Sequence, residues 1–141
     1  MGYIATYLKN KLLDHAFGGG DFTRPTPIYA RLTTTATVQG TPGTEVTTSS
    51  WTNYAPLSID NNTPGDLWAD ATGGAKASDA DLTWPTATVT GANVTVVGIE
   101  FWDASSGGNQ LLGDDLPSIV VQNNTTLSVA SGSVTVTLSD P

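Results

Sequence analysis

Ile4, Leu8 and Leu12 fall four residues apart, with Tyr7 and Leu13 beside them and Lys9, Asn10, Lys11 and Asp14 on the remaining sides. That is an apolar stripe at helical spacing. The pattern predicts one helix from about Tyr3 to Phe17, about 20 Å long at the standard rise. Gly18 stands where a C-terminal glycine cap belongs, and with Gly19 and Gly20 it forms a hinge. After residue 20 the period changes. "PIYARLTTT" (27–35), "WTNYAPLSI" (51–59), "DLTWPTATV" (81–89) and "NVTVVGIEFW" (93–102) read as strands, followed by "NQLLGDDL" (109–116), "SIVVQ" (118–122), "TTLSVA" (125–130) and "SVTVTLS" (133–139). In the last of these, Val134, Val136 and Leu138 alternate with Ser133, Thr135 and Thr137, the two-residue period of a half-buried strand.

Turn signals separate these runs: "TPGT" (41–44), "NNTPGD" (61–66), "TGGA" (72–75), "SSGGN" (105–109), "NN" (123–124) and "SG" (131–132). About eight short strands at this spacing predict an all-β fold, an antiparallel β-sandwich or jelly roll with one N-terminal α-helix. Two parts follow: residues 1–20 as helix and glycine hinge, a docking arm, and residues 21–141 as the β-body. The polar, glycine-rich stretch from 60 to 80 reads as a long surface loop.

Composition supports strands and narrows the chemistry. Thr occupies 23 of the 141 positions and Gly 15, which favours strands and tight turns. Without cysteine there is no disulfide framework, thiolate metal site or cysteine nucleophile. No signal-peptide pattern opens the chain, and no apolar run reaches the roughly 20 residues that span a bilayer. The expectation is a soluble, cytoplasmically made protein without a membrane partner. Charge is uneven. Lys9, Lys11, Arg24 and Arg31 face only Asp14 and Asp21 in the first 31 residues, whereas the remainder sets Lys76 against 11 acidic residues. Such an acidic body repels phosphate and argues against nucleic acid. A basic front end suits an acidic protein surface.

Candidate chemistry is sparse. The single histidine, His15, has no nucleophile or orienting group in its local pattern, so it reads as a surface or interface residue. The pairs Asp79/Asp81 and Asp114/Asp115 sit beside turn signals and read as turn caps, because sequence-adjacent carboxylates seldom face each other across a sugar. "DNNTPGD" (60–66) lacks the ligand spacing of a calcium loop. No catalytic group, cofactor motif or metal set is expected. Trp51, Trp84 and Trp102 lie in strand patterns and read as core or interface. Trp68 falls in the polar stretch and is the tryptophan expected to be exposed, the candidate for a sugar-stacking surface.

The ordered segments "YLKNKLLDHAFGGGDFTRPTPIYARLTTT", "GTEV", "LTWPTAT", "VTVVGIEFWDASSGGNQLLGDDL" and "LSVASGSVTVTLSD" resemble a family of small tailed-phage virion proteins. Its members are often labelled tail fibre proteins, and they are also similar to capsid decoration, or cement, proteins. The resemblance implies a structural role on the virion, on the outer surface of the head, with the major capsid protein as partner, a homotrimer as assembly and synthesis in a bacterial host. It also implies an alternative place in a tail fibre or baseplate with a carbohydrate-facing surface. The tryptophans alone suggest a third reading, a free carbohydrate-binding module. An isolated helix of this length is marginal in water. Its residues Ile4, Tyr7, Leu8, Leu12 and Leu13 are therefore the expected partner-binding surface, with Gly18, Gly19 and Gly20 as the joint.

Overall fold

The computed structural model describes residues 2–60 and 67–138. The chain folds as an antiparallel, sandwich-like all-β structure with one N-terminal helix. Tyr3–Ile4 forms a short strand, β1, and Thr6–Phe17 the helix α1. Then come β2 (Ile28–Thr33), β3 (Leu57–Ile59), β4 (Ala75–Ala77) and β5 (Leu82–Thr83). The long β6 (Val94–Trp102) and β7 (Gln110–Val121) are followed by β8 (Ser128–Val129) and β9 (Thr135–Thr137). A five-stranded sheet has the order β1-β7-β6-β2-β3, and β4 pairs β9 as β5 pairs β8. A parallel bridge between Gly2 and Val136 joins β1's end of the large sheet to β9.

One core is shared by all three sheets. Ala30, Leu32, Ile99 and Phe101 from the large sheet, Leu82 and Val129 from the β5–β8 pair, and Val134 beside β9 are all buried in it. Trp51 and Trp84 are fully buried there, as their strand-like surroundings predict. β2 is buried on both faces along most of its length. On its second face, Glu100 opposite Arg31 accepts the Gly43 N–H of the connection 34–46, which also pairs along the edge of β2 through the bridge Thr33↔Glu45.

Four expectations are corrected. First, the helix starts at Thr6 instead of Tyr3. Tyr3 and Ile4 pair with Gly113 and Leu112, and the Ala5 N–H reaches the Leu111 carbonyl at 2.9 Å. The edge of β7 offers these residues hydrogen bonds that local periodicity cannot reveal. Second, "NQLLGDDL" and "SIVVQ" are one strand. Pro117 falls where the β6–β7 register slips, between the pairs Val96↔Ile119 and Gly98↔Asp115. A residue without an N–H is tolerated at such an irregularity. Asp114 and Asp115 therefore lie within β7 rather than capping a turn, one buried and the other exposed.

Third, much of the stretch from 60 to 80 is built into the fold. Leu67 and Trp68 are buried and β4 is a strand. Its "TGGA" turn is a tight two-residue hairpin: Thr72 and Ala75 exchange both backbone hydrogen bonds, with Gly73 and Gly74 at φ 60° and 76°. Two successive left-handed residues suit glycine. "NNTPGD" lies outside the described residues, as does most of "DNNTPGD" and the end of "SVTVTLS". Fourth, "DLTWPTATV" contributes a strand only over Leu82–Thr83, and "WTNYAPLSI" only over Leu57–Ile59. In both, a threonine- or proline-containing run is held by single bridges, such as Trp51↔Val89, instead of a continuous ladder.

Candidate docking site

α1 begins without a side-chain cap at Ala5 and ends at Gly18, whose φ of 91° requires no Cβ. The Gly19 N–H closes the last turn on the Asp14 carbonyl at 2.7 Å. A Cβ on Gly19 would stand 2.6 Å from an Asp14 carboxylate oxygen, and Gly20 has φ 134°. Each glycine of the triplet thus has its own local reason. His15 is on the surface, where its Nδ1 accepts the Phe22 N–H at 3.2 Å.

No residue of α1 is buried. Tyr7 and Leu8 rest half-buried on the core, and everything from Lys9 to Gly20 is exposed. Ile4, Leu8 and Leu12 come together along one side of an apolar groove of about 560 Å³. Trp68 and Phe101 also line it, their rings packed at a centroid distance of 5.2 Å. Val136 and Leu138 line it from the β9 side, and its polar residues are Arg24, Lys76 and Asp70. Leu13 is outside the groove and 57% exposed, and Phe17 at the end of the helix is 84% exposed. Sequence reasoning passed over Phe17, although its spacing of four from Leu13 extends the outer apolar edge of α1. It also placed Trp68 in the open. Trp68 is only 9% exposed, which overturns its assignment as the sugar-stacking tryptophan. Its bridge to Ser78 holds it over the core, a pairing that the glycine-rich local sequence conceals.

A second constellation, with no signal in the sequence, occupies the opposite face of the large sheet. Gln110 Nε2 donates to Tyr3 Oη at 2.6 Å, Tyr3 bonds to the Thr37 hydroxyl, and that hydroxyl donates to Glu100 Oε1. The same carboxylate accepts the Gly43 N–H at 2.7 Å and the Trp102 indole N–H at 3.0 Å. Arg31, opposite Glu100 in the β2–β6 pairing, donates from Nη2 to the Ala104 and Gly107 carbonyls at 2.7 and 2.8 Å. Its guanidinium stacks 4.2 Å from the Trp102 ring centroid and pairs with Glu45 at 3.7 Å. Arg31 thereby fixes the β6–β7 turn, while Glu100 straps the 34–46 connection to the sheet. Such a network is structural in character: its strongest acceptors are saturated by the chain's own donors.

Burial sets the titration here. It raises the Glu45 carboxyl against the opposing pull of Arg31, and raises the Tyr3 hydroxyl above the usual tyrosine range. Tyr54, buried, accepting the Leu32 N–H at 2.9 Å and donating to Glu45, is pushed up furthest, again by desolvation first. A tyrosine raised in the folded state stabilises the fold fully below its unfolded value, about 10, and the contribution is lost as pH rises through the folded value. The midpoint of thermal unfolding is accordingly expected to fall as pH climbs past about 10. Tyr54→Phe should flatten that alkaline limb, and an unchanged slope would refute the assignment.

Among the described residues, no three acidic or histidine side chains converge as a metal-holding group, and no helix is long and apolar enough to cross a membrane. Asp81 caps the turn at Ser131, whose N–H it accepts at 2.8 Å. Residues 3–137 match the family described as podophage GP4 fiber I protein gp80. The chain belongs to that family. Membership makes it a phage virion structural protein. No curated protein matches the chain.

Proposed function

We propose that this member of the podophage fibre family is a non-enzymatic capsid decoration protein. It sits on the outer surface of the head as a homotrimer and holds neighbouring major capsid subunits together, without cofactor or nucleic acid. The observation that carries the reading is α1: rooted in the sheet through β1, yet with Leu12, Leu13 and Phe17 left exposed. A soluble domain gains nothing from such side chains alone, whereas an attachment subunit gains apolar burial at its contact. Three weak contacts presented by one trimer act together through effective concentration. The fibre description of the family favours a second reading, a tail-fibre or baseplate component. Burial of Trp68 removes the sugar platform first assigned to that reading.

Electron cryo-microscopy of the parent particle separates the two: density at capsid subunit junctions is expected, and density confined to the tail would establish the second reading instead. In a head-binding assay, Leu12→Asp combined with Leu13→Asp should weaken attachment at least about tenfold. Both side chains are exposed, so the unfolding midpoint should stay nearly unchanged. Full binding by this variant would remove α1 from the contact.

A further inference from the structure

We infer that the groove beneath α1 is filled by the carboxyl-terminal end of α1 from a second copy of this chain, with Phe17 as the inserted side chain. The inference rests on the docking-arm reading of α1 and names its first partner.

Among the described residues the groove is open although core aromatics line it. Trp68 and Phe101 belong to the core, while Leu12 and Leu138 are groove residues that remain 40% and 63% exposed. A space of about 560 Å³ is ample for several apolar side chains. Of the large hydrophobic residues exposed among those described, Leu12, Leu13, Phe17 and Leu138 belong to α1 or to this groove. The chain therefore carries both an apolar cavity and an exposed apolar knob.

The knob cannot serve its own cavity. Leu8 and Leu12 already occupy that wall, Phe17 at the end of α1 points to solvent outside the lining, and the chain beyond the left-handed Gly18 returns to the groove with Phe22, Arg24 and Pro25 instead. Another copy's α1 can approach end-on. Charge selects the direction of insertion. The carboxyl end of a helix carries partial negative charge from its unpaired carbonyls, and Asp14 adds to it. The groove it would meet carries two cations, Arg24 and Lys76, against Asp70 alone. Lys9 and Lys11, toward the other end of the helix, would remain outside, facing the acidic body of the receiving copy. Because knob and groove are different surfaces, each copy gives one and receives one, and such a contact builds a ring where its rotation closes and an open filament where it does not.

Two experiments on the full chain test this. Sedimentation equilibrium should show concentration-dependent self-association, weakened about tenfold or more by Phe17→Asp, with the unfolding midpoint preserved because Phe17 is a surface residue. The chain has no cysteine, so single-cysteine variants report contacts cleanly. A mixture of Phe17→Cys and Ala71→Cys should form a mixed disulfide under mild oxidation, and a mixture of Phe17→Cys and Thr95→Cys should not. Ala71 lines the groove and Thr95 does not. A monomer at all concentrations, self-association untouched by Phe17→Asp, or efficient Phe17→Cys self-pairing without the mixed product would each overturn the inference. A monomer that still binds heads through α1 would leave the decoration reading standing. A ring that binds no part of the virion would do the reverse.

Discussion

Trp68→Ala is expected to lower the unfolding free energy by about 3–5 kcal/mol, the range for truncating a large buried aromatic. The indole is nearly enclosed, packed at a tilt against the Phe101 ring, and fixed by a bridge from its backbone to Ser78. Removing it also widens the groove at a core-facing side, so the surrounding β4, β6 and β9 residues must either collapse or leave a void. Chemical denaturation of the wild type and variant measures the difference directly. Trp68→Phe, which keeps an aromatic ring in contact, should lose much less. An alanine variant within about 0.5 kcal/mol of wild type would show a surface residue instead, and the sugar-stacking reading would regain its site.

Glu100→Ala should destabilise by about 3–5 kcal/mol, since three donors aimed at one buried carboxylate are stranded together. These are the Thr37 hydroxyl, the Gly43 N–H and the Trp102 indole N–H. Two of the three lie on the 34–46 connection, so the damage should be local before it is global. Hydrogen exchange at Gly43 should accelerate more than exchange in the β5–β8 pair, none of whose residues hydrogen-bonds to the network. Glu100→Gln retains an acceptor of the same shape and should fall between the two. Uniform acceleration across the molecule would mean that Glu100 supports the core as a whole and not the strap.

Trp68 and Glu100 both owe their surroundings to residues distant in the chain. Alternation marked the last strand, where Val134 and Val136 are buried and Thr135 and Thr137 are not. The helix was visible because Leu8 and Leu12 repeat at its period and Gly18 ends it. What stayed hidden depends on partners distant in the chain. Tyr3 and Ile4 continue the helical spacing and are strand only because β7 presents an edge to them. Trp68 stands among polar residues and is buried only because Ser78 and Phe101 receive it. Arg31 and Glu100 look like ordinary surface charges in a strand, and their burial follows from the connection laid over them. For the candidate site, the sequence supplied Ile4, Leu8 and Leu12 as one wall. The opposite wall comes from segments 67–76 and 136–138, which no local pattern ties to the helix.

The seam between the first and last strands also dictates an order of events during synthesis. Tyr3 takes Gln110 as a hydrogen-bond partner 107 positions away, and Gly2 meets Val136. Contacts so distant in sequence form slowly, because a long chain segment must first be drawn together. On the ribosome they cannot form until Gln110 and Val136 have themselves been made. α1 therefore leaves the tunnel well before the strands that anchor β1 beside it. Throughout that interval its apolar stripe is available to neighbours, so encounters with other nascent or finished chains compete with its seating on its own body. Crowded co-synthesis should favour assembled products, and slow refolding from dilute denaturant should favour chains with α1 already in place.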